Sequence, residues 1–270
     1  MQINNKSTSP IGVFDSGLGG LTVLKALQKT LPNESFIYFG DTAHVPYGTK
    51  SDETVQMYSK KIAEFLLKQD VKLIVIACNT ASAVALNSLK KMFEIPIIGV
   101  VEPAIESALL ATKSNVIGII GTRTTINSKA YPNRIKELNT AIETVGESCP
   151  LFVPLIEEGW AETETAKHIA ETYLSKILKT NMDTLVLGCT HYPIMKNIIQ
   201  SVVSSNVTLI SSDETVSESV KTYLIQNNLE NTTFRPFEKY YVTDVPQQFE
   251  ILGSRFLGKK LTNIEHITIL

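Results

Sequence analysis

The sequence LIVIACNTASA, residues 73–83, joins an apolar run to a cysteine, an asparagine and a threonine. A short β-branched run of this length predicts a buried strand, and the small residues that follow predict the start of a helix. Free cysteine is common in protein cores, so Cys78 taken alone is most simply interpreted as a core residue. The stretch therefore predicts a strand-to-helix unit and leaves the role of its cysteine open.

Six further apolar runs of similar length occur along the chain, and amphipathic segments separate most of them. This alternation is typical of parallel sheets covered by helices. We therefore predict an α/β fold of mostly parallel sheets flanked by helices. One helix is predicted within residues 161–179, where apolar residues recur at spacings of three and four. The predicted strands are residues 11–14, 36–39, 73–77, 96–100, 116–120, 184–188 and 207–210.

The opening stretch has a counterpart 111 residues later in the chain (184 minus 73). LIVIACNT, residues 73–80, falls on TLVLGCTH, residues 184–191, and this places Cys78 on Cys189. Both runs pass from apolar residues through a cysteine into polar residues. Since the repeated unit spans a whole sheet and not 20 to 50 residues, it indicates a duplicated domain and not a solenoid.

A second and looser match supports the duplication. IGVFDS, residues 11–16, resembles IGIIGT, residues 117–122, and each is a strand that ends in small or polar residues. We expect two pseudosymmetric α/β domains with a cleft between them. The first is predicted to be discontinuous and to contain residues 1–101 and 212–270, because the chain is expected to return to it, and the second contains residues 102–211.

The composition indicates a globular protein that acts on small molecules. Hydrophobic residues make up 43% of the chain and charged residues 19%, and no apolar run approaches the roughly 18 residues of a membrane span. The net charge is −2, from 25 basic and 27 acidic residues, without a basic patch. Both nucleic acid and membrane are therefore disfavoured as partners.

The first ten residues are polar and lack the apolar segment of a signal peptide, so they predict a short disordered arm and no export. The three cysteines are Cys78, Cys149 and Cys189. An odd number of cysteines without an export signal disfavours a disulfide framework, and we expect reduced thiols.

Polar or reactive residues follow several of the predicted strands. In open α/β sheets, ligands bind beyond the carboxyl ends of the strands, so these residues are candidates for a site. Two cysteines at matching positions of two related halves are expected to face each other across the cleft. The role of Asp41 stays open, because it is either a site residue or a helix cap or loop residue. The candidates are Asp15, Ser16, Asp41, Cys78, Asn79, Thr80, Thr122, Cys189, Thr190 and His191.

Two opposed thiols suit a reaction that inverts a stereocentre. One thiolate removes a proton from one face of a carbon while the other thiol protonates the opposite face, and a reference pKa of about 8.5 lets both forms occur near neutral pH. The developing carbanion needs positioned donors. Ser16, Asn79, Thr80, Thr122 and Thr190 are candidates, and the run SGLGG, residues 16–20, predicts amides at a helix N-terminus that suit a carboxylate.

At this point four segments resemble the motifs of the glutamate racemases, a cofactor-independent family within the aspartate/glutamate racemase superfamily. The match is ordered and runs from Ile11 to about Thr215. It implies two pseudosymmetric α/β domains with the site in the cleft between them. The segments are DSGLGG (15–20), GDTAHVPYG (40–48), ACNTASA (77–83) and LGCTHYP (187–193).

The resemblance assigns roles residue by residue. It implies that Cys78 acts on the D-isomer and Cys189 on the L-isomer, as the two catalytic acid/base groups. It also implies that Asp15 and His191 tune the thiols or relay protons to them. The motif residues and the candidate donors together give the predicted substrate-binding set: Asp15, Ser16, Tyr47, Gly48, Asn79, Thr80, Thr122, Thr190 and His191.

Two further positions carry information from the resemblance. Glu157, in PLIEEGW, matches a family acid that supports the histidine, and the adjacent Glu158 is the alternative. His191 stands where the aspartate racemases typically carry a glutamate. The resemblance thus implies glutamate as substrate, with aspartate as the rival. It further implies a cytoplasmic enzyme without a cofactor that supplies D-glutamate for peptidoglycan; a homodimer is left open.

Other kinds of site are less well supported by the residues. Cys189 and His191 would need two more ligands to close a structural zinc site, and no C-x-x-C motif exists. GLGG lacks the full spacing of a nucleotide fingerprint. No lysine lies in a motif that suggests a Schiff base, and Cys149 has no counterpart in the repeat and is interpreted as structural. A ligand-binding protein with two similar lobes is the alternative from another functional class.

Overall fold

Two parallel β-sheets organise the chain in this computed structural model, which describes residues 6–232 and 235–269. The strands are β1 (Ile11–Asp15), β2 (Phe36–Gly40), β3 (Leu73–Ile76), β4 (Ile97–Gly99), β5 (Val116–Gly121), β6 (Glu143–Ser148), β7 (Thr184–Gly188), β8 (Thr208–Ser211), β9 (Glu238–Val242) and β10 (Ile264–His266). The first sheet has the order β10-β9-β2-β1-β3-β4, and the second has the order β6-β5-β7-β8.

Helices cover the sheets, and short 3₁₀ segments connect several elements. The helices are α1 (Leu21–Thr30), α2 (Asp52–Leu67), α3 (Asn79–Met92), α4 (Val101–Ala111), α5 (Arg123–Asn127), α6 (Ala130–Leu138), α7 (Phe152–Glu157), α8 (Glu164–Leu174), α9 (Lys196–Val203), α10 (Ser212–Gln226) and α11 (Pro246–Leu257). The 3₁₀ segments are Lys6–Thr8, Thr42–His44, Tyr47–Thr49, Ile177–Lys179 and Tyr192–Met195. None of the helices in the described ranges is long and apolar enough to cross a membrane.

Four strands of the first sheet, in the order β2-β1-β3-β4, match the four strands of the second sheet, in the order β6-β5-β7-β8, and all of these pairs are parallel. The α/β class and the predicted duplication are therefore confirmed. All seven predicted strands are present, with ends that differ by at most one residue.

The local sequence explains why these elements form. Strands β1 and β3 are buried along their whole length, as expected for parallel strands covered on both faces. Helix α8 begins where the Thr163 hydroxyl accepts the amide of Ala166, and it ends earlier than predicted. The chain then forms the 3₁₀ segment Ile177–Lys179, in which Leu178 is exposed.

Strands β6, β9 and β10 are additions to the prediction. The sequence of β6, ETVGES, is polar and its side chains are only partly covered, because it is an edge strand. Strand β9 pairs with β2, and β10 pairs with β9, so the segment after residue 211 does contribute two strands to the first sheet. The boundaries predicted for the two domains stay a prediction.

The prediction of a disordered arm is wrong for residues 6–10, and residues 1–5 lie outside the described ranges. Residues 6–8 form a 3₁₀ turn in which Ser7 is buried. The carbonyl oxygen of Ser7 accepts a hydrogen bond of 2.6 Å from Nζ of Lys72, which precedes β3. This contact fixes the arm because the buried ammonium group needs acceptors.

Candidate active site

A cavity of about 310 Å³ lies where the carboxyl ends of the two sheets meet. Its wall receives residues that follow β1 and β3 of the first sheet and β5 and β7 of the second, as the rule for α/β sheets predicts. The structure thus brings the two repeated segments to one cavity. The predicted site residues on its wall are Ser16, Tyr47, Gly48, Cys78, Asn79, Thr80, Thr122, Glu157, Cys189, Thr190 and His191.

Cys78 follows β3 in the first half of the repeat and is the N-cap residue of α3. Its sulfur accepts the amide of Ala81 at 3.5 Å, and the thiol donates to the hydroxyl of Ser16 at 3.8 Å. Burial, followed by the negative charge of Asp15, raises the pKa of Cys78 to about 12, although the Ala81 amide and Ser16 act in the opposite direction. Cys78 is therefore a thiol when the cavity holds no substrate.

Cys189 follows β7 and belongs to a row of three interacting side chains. Its Sγ lies 3.9 Å from Nδ1 of His191, and Nε2 of His191 lies 2.9 Å from a carboxylate oxygen of Glu157. Of the two adjacent acids, it is therefore Glu157 and not Glu158 that contacts His191. The chain after Cys189 forms the 3₁₀ segment Tyr192–Met195 before α9 begins.

The charge of His191 follows from its neighbours. Burial by itself lowers the pKa of His191, but the hydrogen bonds to Cys189 and Glu157 and their negative charges outweigh burial and raise the pKa from 6.5 to about 10. The imidazole is therefore cationic at neutral pH. The hydrogen bond to Glu157 therefore holds this imidazole beside Sγ of Cys189.

The raised pKa of His191 predicts how protein stability depends on pH. A raised folded-state pKa contributes stability fully below 6.5, and this stability is lost as the pH rises through about 10. At pH values below 6.5, we expect His191→Gln to lower the free energy of unfolding by about 2 kcal/mol, the contribution of a charged hydrogen bond. The difference in free energy of unfolding between the variant and the unsubstituted protein should shrink as the pH approaches about 10.

Urea unfolding of both proteins at a series of pH values measures this difference. His168→Gln is the matched control, because the side chain of His168 is exposed and pairs with Glu171 at i,i+3 on the helix surface. It should change the free energy of unfolding by less than about 0.5 kcal/mol at every pH. A difference for His191→Gln that grows with pH would contradict the prediction.

Asp15 is completely buried and does not lie on the cavity wall. Its carboxylate accepts the amide of Gly17 at 2.9 Å and the hydroxyl of Thr190 at 3.4 Å. Burial raises the pKa of Asp15 from 3.8, while the charge of His191 and the amides of Gly17 and Gly20 oppose that rise. The structure therefore places Asp15 behind Thr190.

The SGLGG loop differs from its prediction. Its amides do hold a carboxylate, but that carboxylate belongs to Asp15. The glycines instead permit close packing: a Cβ on Gly19 would lie 2.3 Å from atoms of Thr190 and His191. The loop thus lets the first half approach the second strand-end motif.

Asn79 and Thr80, the first residues of α3, contact the second half of the chain. The hydroxyls of Thr80, Thr122 and Thr125 form a triangle with sides of 2.9 to 3.1 Å. Thr125 was missed by the sequence analysis, although it stands one turn after Thr122, which caps α5. In the part of the chain that the structure describes, Nδ2 of Asn79 is buried without a hydrogen-bond partner.

Tyr47 and Gly48 line the cavity from the first half of the repeat. The Tyr47 hydroxyl donates to Asp41 at 2.6 Å, so it is not directed at the cavity. Asp41 also accepts from Thr243 at 2.8 Å and lies 2.7 Å from His44, so it holds the loop and is absent from the cavity wall. A Cβ on Gly48 would lie 2.5 Å from Thr122, and only glycine permits this approach.

Cys149 lies on the cavity wall beside Pro150, Val153 and Pro154. It is completely buried, and burial raises the pKa of its thiol. A neutral thiol among apolar neighbours agrees with the structural role predicted for it. No group of three or more His, Cys, Asp or Glu side chains within residues 6–232 and 235–269 could hold a metal ion.

Known proteins are similar to this chain in sequence and in fold over almost its whole length. Residues 11–217 match the model of the Asp/Glu/Hydantoin racemase family. A glutamate racemase of Geobacter metallireducens is 50% identical over 260 residues, which cover 96% of each chain. A glutamate racemase structure from Bacillus anthracis aligns with a TM-score of 0.94 at 35% identity, over 97% of this chain and 98% of the other. A Francisella tularensis glutamate racemase in complex with D-glutamate aligns with a TM-score of 0.91 at 42% identity, with the same two coverages.

Proposed function

The chain belongs to the Asp/Glu/Hydantoin racemase family and is an amino-acid racemase, and from this we propose that it interconverts L- and D-glutamate by proton transfer between Cys78 and Cys189. The observation that carries the proposal is the position of the two thiols. Each follows the equivalent strand of its sheet, β3 or β7, and both line one cavity. Membership of a racemase family replaces the alternative of a protein that only binds its ligand.

In the proposed mechanism, the thiolate of Cys189 removes the α-proton of L-glutamate, and the thiol of Cys78 protonates the opposite face of the same carbon to give D-glutamate. Cys189 is then a thiol and Cys78 a thiolate. The reverse reaction starts from that state, or the two sulfurs exchange protons with solvent before the next turnover. Two bases on opposite faces invert the centre without moving the substrate.

The resting charges support the first half of this cycle. His191 is cationic beside Cys189, and Cys78 with its pKa of about 12 holds the proton that it must donate. Glu157 balances the charge of His191 and fixes the direction of its ring. Asp15 acts through Thr190 and through its negative charge, which helps to keep Cys78 protonated, so we propose it as a positioning residue.

Stabilisation of the carbanion falls to hydrogen-bond donors on the cavity wall. The α-proton of an amino acid is a far weaker acid than a thiol, so donors must neutralise the charge that develops on the carboxylate. The unpartnered Nδ2 of Asn79 is one such donor. The others that we propose are the hydroxyls of Ser16, Thr80, Thr122 and Thr190, with the backbone of Tyr47 and Gly48 for the second carboxylate.

The choice of glutamate rests on two supports. His191 occupies the position where the aspartate racemases typically carry a glutamate. The relatives of 44 to 50% identity that span nearly the whole chain are glutamate racemases. We further propose that the enzyme needs no cofactor, because the cavity offers two acid/base groups of its own. The same proposal places it in the cytoplasm as a source of D-glutamate for peptidoglycan.

Incubation in deuterated water tests the proposed function. The protein should convert L-glutamate and D-glutamate into each other and place deuterium at the α-carbon of the product, as followed by circular dichroism and NMR. Aspartate should be turned over at least about 10²-fold less efficiently by kcat/KM, because one fewer methylene leaves its second carboxylate away from its donors. Faster turnover of aspartate would replace glutamate as the substrate, and absence of exchange with both would overturn the proposal.

A further inference from the structure

Two side chains outside the cavity wall, those of Tyr131 and Ser212, converge on the amide of Asn79. Its Oδ1 lies 2.7 Å from the hydroxyl of Tyr131, which is on α6, and 3.2 Å from the hydroxyl of Ser212, the first residue of α10. Ser212 also donates to the carbonyl of Leu187 in β7 at 3.0 Å. Asn79 belongs to the first half of the repeat, whereas Tyr131 and Leu187 belong to the second.

These contacts decide which end of the Asn79 amide faces the substrate. A carboxamide can turn by 180°, and only its hydrogen-bond partners fix the positions of oxygen and nitrogen. With Oδ1 held by Tyr131 and Ser212, Nδ2 is left for another acceptor, and it has none in the described residues. A buried N–H without a partner costs free energy that a substrate carboxylate can recover.

Tyr131 is well placed to hold this geometry. Its side chain is 1% exposed. The ring edge would lie 3.5 Å from a Cβ on Gly188, so it packs against the backbone just before Cys189. Its hydroxyl meanwhile reaches the residue just after Cys78. One rigid side chain therefore spans the distance between the two cysteine motifs.

We propose that Tyr131 is a positioning residue of the racemase reaction, which fixes the amide of Asn79 so that its N–H donates to the substrate carboxylate. Tyr131 does this without touching the substrate. The donor beside Cys78 is thus oriented by the half of the molecule that carries Cys189. The inference rests on the proposed role of the cavity as a racemase site.

A double-mutant cycle between Tyr131 and Asn79 tests the proposal. Tyr131→Phe removes only the hydroxyl and keeps the ring packing, and we expect kcat to fall about tenfold in both directions. KM should change less than about threefold, because the donor acts mainly on the developing charge. Asn79→Ala should lower kcat about 10²-fold. In the double variant, Tyr131→Phe should lower kcat by less than about twofold beyond the effect of Asn79→Ala.

Tyr241→Phe is the matched control, because Tyr241, on β9 of the first sheet, is also buried and its hydroxyl donates to Gln69 at 3.1 Å. It should leave kcat unchanged. Thermal unfolding of all variants shows whether they fold. The proposal fails if Tyr131→Phe keeps its full kcat. It also fails if Tyr131→Phe lowers kcat about tenfold both in the unsubstituted protein and in Asn79→Ala.

Failure of the proposed function gives a different result. In that case the unsubstituted protein shows no exchange with glutamate, and the cycle is measured with the amino acid that does exchange deuterium. Coupling between Tyr131 and Asn79 is expected for that substrate as well, because every amino acid presents the same α-carboxylate.

Discussion

We expect Cys78→Ala and Cys189→Ala each to lower the rate of the proposed glutamate racemisation by about 10³-fold or more, in both directions. Each variant keeps one of the two acid/base groups, but inversion needs both, and a positioned acid or base contributes about 10² to 10⁴-fold to the rate. Both side chains are small and lie at the cavity wall, so the fold should survive their truncation. The measurement is circular dichroism of glutamate during turnover, started from each enantiomer.

The third cysteine supplies the control for this prediction. Cys149 lines the same cavity and is equally buried, but its neighbours there are apolar and it has no counterpart in the repeat. Cys149→Ala should therefore keep most of the racemisation rate. If Cys78→Ala and Cys189→Ala racemised glutamate as fast as Cys149→Ala, the two-thiol mechanism would be wrong.

Lys72→Met lowers the free energy of unfolding by about 3 to 5 kcal/mol, because it leaves a buried carboxylate without its partner. Nζ of Lys72 lies 2.5 Å from Glu34 and donates to the carbonyls of Ser7 and Leu229 at 2.6 and 2.8 Å. The ammonium group therefore joins the N-terminal arm and the end of α10 to the first sheet. Methionine fills a similar volume, so the loss measures the charge and its hydrogen bonds.

Urea unfolding followed by circular dichroism measures this loss. Lys60→Met is the matched control, because the pair of Lys60 with Glu64 spans 3.7 Å and its side chains are 50% and 46% exposed. Surface pairs contribute about 0 to 1 kcal/mol, so the control should change little. Adding Glu34→Leu to Lys72→Met should restore part of the stability, since it removes the unpaired charge. Equal losses for Lys72→Met and Lys60→Met would contradict the argument.

Strand prediction succeeded for the apolar runs, including those of the edge strands β4 and β8, and it missed β6, β9 and β10, which carry polar residues or are short. The runs that became β1, β3, β5 and β7 are almost purely apolar, since helices cover both faces of each sheet. Strand β6 is an edge strand with polar side chains, and β10 has only three residues. Such strands form because a neighbour offers backbone partners, which local sequence does not record.

The site divides in the same way. Cys78 and Cys189, with the polar residues that follow them, were predictable because the strand-end pattern occurs twice. Tyr131 and Ser212 carry no local signal, because their hydroxyls matter only after the chain has folded around Asn79. The SGLGG loop was assigned to a substrate carboxylate, whereas its amides hold Asp15, which lies only two residues before Gly17.

The sequence by itself determined the α/β class, the duplication and the two thiols, because buried parallel strands need continuous apolar runs and the repeat preserves the residues that follow them. Only the tertiary structure decided the charge of His191 beside Cys189 and the orientation of the Asn79 amide beside Cys78. The cationic state of His191 depends on Glu157, which lies 34 residues away along the chain, and the amide of Asn79 depends on Tyr131, 52 residues away. A pKa and an amide direction are set by neighbours in space, and folding brings those neighbours together.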